Sequence, residues 1–190
     1  HMRLMKRFLL AFFLYSMGVH TVMLVSAGFG EKILHLSTSS LIAVILIIQL
    51  VAIAGANIMS RLSKVYGNVK VLMGVVSIWV LICICAYYIN SELQFYFLAA
   101  VVGLVMGGIQ SLSRSTYSKY IPENTPDTAS FFSFYDVTEK LAIVAGLASF
   151  AYIEELTGSM RNSAIALTVF FILGLIVLTL LKKTELKKHP

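Results

Sequence analysis

Charge is what this 190-residue sequence has least of: 13% of its residues are Asp, Glu, Lys or Arg, against 58% hydrophobic, at a mean hydropathy of +0.87. A soluble domain carries about a quarter charged residues, so this chain cannot cover a water-facing surface. The same scarcity excludes a disordered or nucleic-acid-binding chain, despite a net charge of +6 and a pI near 9.4. With only two cysteines there is no disulfide framework and no zinc cluster. Cys83 and Cys85 lie two residues apart in an apolar run, on different faces of any helix, and read as inert core or lipid-facing thiols. Three prolines leave the apolar runs long and unbroken. What remains is a polytopic membrane protein whose first partner is the lipid bilayer.

Crossing a bilayer takes about 20 mostly apolar residues. Six segments qualify, at about 8–28, 39–59, 69–90, 94–113, 129–152 and 162–181. Short polar breaks separate them, and Pro122 and Pro126 stop the fourth run from continuing into the fifth. The runs are too long for barrel strands and lack their period of two. The fold class is therefore all-α, a single bundle of six transmembrane helices over residues 1–190. His1-Met2 reads as a cloning remnant, which leaves open that the chain is a piece of something larger. The run from Phe8 to Gly28 is too long for a signal-peptide core.

Orientation follows from the cations. Arg3, Lys6 and Arg7, then Arg61, Lys64 and Lys70, then Arg114 and Lys119, and finally Lys182, Lys183, Lys187 and Lys188 share one side, twelve of the fifteen. The other side has Lys32 and Arg161, with Glu31, Glu92, Glu154 and Glu155. Both termini are expected in the cytoplasm, with the protein in an inner or plasma membrane. The basic tail KKTELKK reads as a topology anchor or as a site for lipid headgroups or a partner.

Polar residues within spans mark the helices that line an interior, because charge in hydrocarbon is costly. Helices three and six carry no charge between Val71 and Ile89 or between Ser163 and Leu181, and are expected to be outer, lipid-facing helices. Helix one has Tyr15, Ser16, His20 and Thr21 mid-span, with Ser16 and His20 on one face; helix two has Gln49 and Asn57. In helix four, Gly103, Gly107, Gln110 and Arg114 share a narrow face, either for close helix packing or for a polar passage. Helix five places Asp136, Glu139 and Lys140 inside its span. Asp136 and Lys140 are one turn apart in the order that favours a helical ion pair. They form either a self-neutralising structural pair or part of a substrate or proton pathway. His20 is open in the same way, as a hydrogen-bonded interior histidine or as a relay or substrate contact.

The alternation of polar helices one, two, four and five with outer helices three and six suggests a three-plus-three inverted repeat, as in halves of major facilitator transporters. The segment Gly103–Gly146 resembles the C-terminal half of vacuole effluxer-like members of that superfamily. Its shared elements are Gly107, Gly108, Ile109, Gln110, Leu112, Ser113, Arg114 and Ser115, then Pro122, Phe131, Phe132 and Lys140. FLLAFFLYSMGVHTV at 8–22 is similar to the first helix of that half, and LTGSMR at 156–161 to its last external loop. Two positions depart. Ser16 and Met17 stand where the family often has an Asn-Asp pair, removing an acidic group there. Lys64 stands near the Asp of the superfamily's cytoplasmic loop motif, although Gly67 and Lys70 are kept.

The resemblance implies half of a secondary transporter that moves a small polar solute, amino acids or similar metabolites, by alternating access. Its partner would be the other six-helix half or a second copy of this chain. On that reading Lys140 meets a solute carboxylate or pairs with Asp136, Gln110 gives a hydrogen-bonding contact, and Glu139 is the protonatable candidate for coupling. His20 and Arg114 complete the candidate set. The alternative is a non-transporting membrane module that packs through its polar face with another membrane protein. No metal-ligand spacing, GxSxG elbow or phosphate-binding glycine loop is present, so no cofactor and no enzyme activity are expected.

Overall fold

The computed structural model describes residues 2–186, so His1 of the expected remnant and Lys187 and Lys188 of the tail lie outside the described residues. These residues form six helices and, among them, no strand: α1 Met2–Leu34, α2 Thr38–Tyr66, α3 Asn68–Tyr88, α4 Glu92–Ser118, α5 Thr128–Thr157 and α6 Met160–Leu186. Most overrun their apolar runs, because polar residues at a membrane surface still complete the helix's own hydrogen bonds. Starts are capped where the sequence supplies an oxygen. Ser37 accepts from the Ser40 N–H at 3.2 Å, Ser91 from Gln94 at 3.3 Å and Asp127 from Ser130 at 3.1 Å. Gly67 joins α2 directly to α3 at φ +86°, a conformation that L side chains rarely adopt.

Five of the helices are long and apolar enough to cross a membrane. The expected span at 129–152 lies within α5, which has the length, at 30 residues, but whose ionisable residues hold it outside that apolar group. Six helices with five apolar spans make an all-α polytopic membrane protein.

The packing pairs show the repeat. α2 packs on α4 as α5 packs on α1, α1 on α6 as α4 on α3, and α3 meets α6. Exchanging α1, α2 and α3 for α4, α5 and α6 maps these pairs onto one another. Glycines bring the α2–α4 and α1–α5 pairs close. A Cβ at Gly55 would overlap the Leu104 carbonyl, one at Gly107 the Ala52 carbonyl, and one at Gly146 the Met17 carbonyl. Gly103 is packed in the same way, with the Ile48 carbonyl 2.7 Å from a Cβ position. The glycine half of the α4 stripe is therefore a helix contact.

α3 and α6 are not simply lipid-facing. Trp79 and Phe171 are fully buried with rings stacked 5.7 Å apart, and Leu72, Val76, Leu167 and Leu178 are buried with them. Apolar side chains pack against protein as readily as against lipid, so a lack of charge did not distinguish the two. α2 is an open helix, exposing Ile42, Leu46, Leu50, Ile53 and Val65. Gln49 and Asn57 are exposed with them, and the Asn57 amide donates to its own helix at Ile53 O, 3.0 Å. Their polarity does not mark an interior-lining helix in this bundle.

Both ends are pinned. At the end where α1 starts, the Arg7 guanidinium donates to the Thr184 hydroxyl, and Lys119 Nζ donates to Asn68 Oδ1 at 3.1 Å. At the opposite end Arg161 donates to the Tyr87 carbonyl at 2.5 Å and to Asn90 Oδ1 at 3.1 Å.

Candidate functional site

Between α1, α4 and α5 lies an open cavity of about 770 Å³. α1 contributes Ser16 and His20, α4 contributes Gln110, Ser111, Arg114, Ser115 and Ser118, and α5 contributes Phe132, Tyr135 and Glu139. Helical spacing explains the assembly. Ser111, Ser115 and Ser118 follow one another at four and three residues, and Ser16 and His20 at four, so each set lines one face. α2 contributes nothing to this wall.

Four sequence-derived candidates line the cavity: His20, Gln110, Arg114 and Glu139. His20 Nε2 stands 3.1 Å from Glu139 Oε1, joining α1 to α5, and His20 Nδ1 is 3.1 Å from the Ser16 carbonyl. Both side chains are largely covered, 17% and 25% exposed. Arg114 lies over the Phe132 ring at 5.2 Å and the Tyr135 ring at 5.9 Å, which hold its guanidinium against the α5 wall.

The expected Asp136–Lys140 pair is not formed. Asp136 Oδ1 instead faces Arg114 Nη1 of α4 at 3.5 Å. Lys140 is exposed, outside the cavity wall, with no ion pair or hydrogen bond among the described residues. The one-turn spacing permits a pair within α5, but α4 presents a guanidinium to the same carboxylate, already positioned by two rings. Both partners of the Arg114–Asp136 pair are at least half exposed, so it adds only about 0–1 kcal/mol to stability.

The glycine stripe thus divides by function along α4. Its upper residues, Gly103 and Gly107, meet α2, and its lower ones, Gln110 and Arg114, line the cavity.

Two contributors escaped the sequence reading, Ser113 as a structural hub and Tyr135. The Tyr15 and Ser113 hydroxyls lie 2.7 Å apart, both residues 1% exposed, and Ser113 donates to the Ile109 carbonyl at 2.6 Å. With its proton committed there, Ser113 accepts from Tyr15. Tyr135 stacks on Phe12 at 4.2 Å and lies 5.1 Å from Tyr117, whose hydroxyl donates to the Phe131 carbonyl. These aromatic contacts fix the α1, α4 and α5 walls against one another. The signal available was the serine-rich run SLSRSTYS on a helix, in which each serine is unremarkable alone.

Among the described residues no group of three His, Cys, Asp or Glu side chains could hold a metal ion. The site offers hydrogen-bond donors, one guanidinium and the Glu139 carboxyl group in an open pocket, with Asp136 reaching the guanidinium from outside the wall.

Residues 1–189 match the family described as vacuole effluxer Atg22 like. Among curated proteins the chain is 33% identical over 172 residues to an uncharacterized MFS-type transporter, YxiO, of Bacillus subtilis (strain 168), covering 90% of this chain and 39% of that protein. It is 26% identical over 203 residues to autophagy-related protein 22 of Saccharomyces cerevisiae (strain ATCC 204508 / S288c), covering 99% of this chain and 37% of that one. With autophagy-related protein 22-1 of Aspergillus niger it shares 27% identity over 191 residues, 92% of this chain and 31% of the relative. The chain therefore spans less than two fifths of the length of these relatives. With nearly its whole length matched, the chain belongs to the vacuole effluxer Atg22-like family of membrane proteins.

Proposed function

We propose that this chain is one six-helix half of a secondary transporter, and that its α1–α4–α5 cavity binds a small polar solute during alternating access. The observation that carries the reading is a cavity lined by charged and hydrogen-bonding side chains between the helices of a bundle with five apolar spans. An intramembrane cavity of this kind is a solute path by default. The naming of one relative as an MFS-type transporter supports it. Arg114 serves the solute's anionic group, because the rings of Phe132 and Tyr135 hold it in the wall and its one ion partner among the described residues sits at 3.5 Å. Gln110 supplies a neutral hydrogen-bonding contact. Amino acids or similar metabolites are the solute class, on the family resemblance.

Both termini are cytoplasmic on this reading, from the bias of twelve cations in fifteen. The other six-helix half covers the exposed faces of α2 and α5, which carry Leu50 and Ile53, and Val137 and Leu141. Lys140, exposed at membrane depth, takes its partner from that half. A second copy of this chain would meet the same faces.

The test is uptake of a panel of radiolabelled amino acids by the full-length protein in proteoliposomes, beside Arg114→Met. Uptake of one or more by the wild type and its loss in the variant is the expected result. Uptake no greater than in protein-free liposomes across the panel, or an undiminished variant, would overturn the reading.

A further inference from the structure

Two cations lie within a side chain's reach of Asp136, and packing commits it to neither. It faces Arg114 Nη1 at 3.5 Å, and Lys140 follows one turn later on the same unbroken helix, in the order that favours a pair. A well-made charge-assisted bond would be shorter, about 2.7–2.9 Å. The Arg114 and Asp136 side chains are 57% and 50% exposed, so neither is walled in. The guanidinium keeps its place without the carboxylate, because it lies over the Phe132 and Tyr135 rings. Lys140 has no ion pair or hydrogen bond among the described residues.

We propose that Asp136 is a placeholder on Arg114: an anionic group entering the cavity takes the guanidinium, and the released Asp136 carboxylate pairs with Lys140. Charge balance favours the exchange. With the cavity empty, Arg114 and Asp136 neutralise each other and Lys140 is left over. An incoming carboxylate that merely joined them would put two anions on one cation and leave a charge uncompensated between the helices. After the exchange, two cations hold two anions, and only the Asp136 side chain has turned. The exchange rests on the proposed solute site for its incoming anion. Lys140 stands on the exposed face of α5 with Val137 and Leu141, so occupancy of the cavity is passed to the face assigned to the other half.

The neighbouring charges are engaged elsewhere. Glu139 faces His20 at 3.1 Å, and Lys119 donates to Asn68. Among the described residues no carboxylate other than Asp136 lies within ion-pair distance of Arg114, and none lies within it of Lys140. Asp136 is therefore the one group placed to serve both cations in turn.

The experiment uses the full-length protein in nanodiscs and follows Arg114 itself. Phenylglyoxal modifies free guanidinium groups, a bound carboxylate slows it, and mass spectrometry of the Arg114 peptide gives the rate. Acetate is the probe, exchanged for chloride at constant ionic strength, and the quantity read is the acetate concentration that halves each variant's own rate. Asp136→Asn removes the placeholder and should lower that concentration by about two- to five-fold, the range for an exposed ion pair. Lys140→Met removes the landing partner and should raise it about two-fold, as for a pair one turn apart. In the Asp136→Asn background Lys140→Met should change nothing, and Lys140→Arg alone should match the native protein. Lys140→Gln and Asp136→Ser stand in for any variant that does not fold. No response to loss of Lys140 would overturn the exchange. An equal response with and without Asp136 would do so too, since a lysine acting only through its field gives that result. Absence of protection by acetate would also overturn it. Acetate need not be transported, so the full pattern in a protein that moves no amino acid would refute the transport reading alone. Amino-acid uptake without the pattern would refute the exchange alone.

Discussion

Arg114 of α4 and Asp136 of α5 face each other at 3.5 Å between their helices, with the guanidinium lying over the rings of Phe132 and Tyr135. The carboxylate that sits one turn from Lys140 thus spends its charge on another helix. A test of stability separates the two pairings. Breaking a buried ion pair costs about 3–5 kcal/mol, whereas loss of an exposed one costs about 0–1 kcal/mol. Lys140→Met should therefore leave the thermal midpoint in detergent nearly unchanged. Asp136→Asn should shift it little while lowering uptake by the full-length protein. A large destabilisation by Lys140→Met, rescued by Asp136→Leu, would restore the pair within α5.

The Tyr15–Ser113 contact predicts an asymmetry between its partners. Tyr15→Phe leaves Ser113 still donating to Ile109, and costs about 0.5–1.5 kcal/mol. Ser113→Ala strands the Tyr15 hydroxyl in a site only 1% exposed, and should cost about 1–3 kcal/mol. Equilibrium unfolding of the two variants in mild detergent checks the order. Equal effects, or a larger one for Tyr15→Phe, would contradict the assignment of donor and acceptor.

Helix proximity is tested at the glycines. A Cβ at Gly107 meets the Ala52 backbone, which cannot step aside as a side chain can, so Gly107→Leu should separate α2 from α4 and cost more than about 3 kcal/mol. Gly74 of α3 has nothing within 4 Å of a Cβ position, and Gly74→Ala should be neutral or stabilising by about 0.5–1 kcal/mol. Yield of folded protein by size-exclusion chromatography and thermal unfolding report both.

Asp127 at the start of α5 gives a pH prediction outside the membrane. Hydrogen bonds from the Ser130 hydroxyl, first, and the Ser130 backbone N–H hold its carboxyl below the usual carboxylate range. A depressed folded pKa stabilises the cap above the ordinary carboxylate range, and that stabilisation is lost as the pH falls through the folded value. Exchange of the Ser130 amide hydrogen, relative to its unprotected rate, should therefore lose protection only at strongly acid pH. Asp127→Asn, which caps without a charge, should lose that acid step while keeping protection.

Much of the fold was legible because a bilayer leaves few options. Six apolar runs of about twenty residues with prolines between the fourth and fifth map directly onto α1–α6. Spacing on single helices put His20 on one face with Ser16 and Gln110 on one face with Arg114, and in the structure these four line one cavity. What could not be read was choice between helices. Asp136 has an acceptable partner one turn away in sequence, and only the approach of α4 shows that Arg114 takes its place. Gln49 and Asn57 illustrate the same limit, since a polar residue in an apolar helix identifies a face to be covered but not which element covers it. Tyr135 and Ser113 were passed over because a tyrosine and a serine carry no charge that a membrane must account for.

The proposed orientation is tested by cysteines at Ser91 and Glu155 on one end and at Val65 on the other, in a background without Cys83 and Cys85. All three sites are exposed in the structure, so labelling reports the side of the membrane and not local packing. An impermeant thiol reagent added to intact cells should label the first two and spare Val65→Cys until the membrane is opened. The reverse pattern would place both termini outside.

The most direct measurement of the central claim asks whether solute passes through the cavity between α1, α4 and α5. A cysteine at Ser111, again in a background without Cys83 and Cys85, is placed in the full-length protein in proteoliposomes. Uptake of the solute identified in the radiolabelled panel is then compared before and after attachment of a bulky thiol reagent. A cysteine at Leu180, on the exposed outer face of α6, treated identically, is the control. The account predicts that modification at Ser111 abolishes uptake and that modification at Leu180 leaves it intact. Undiminished uptake through a protein fully modified at Ser111 would contradict it.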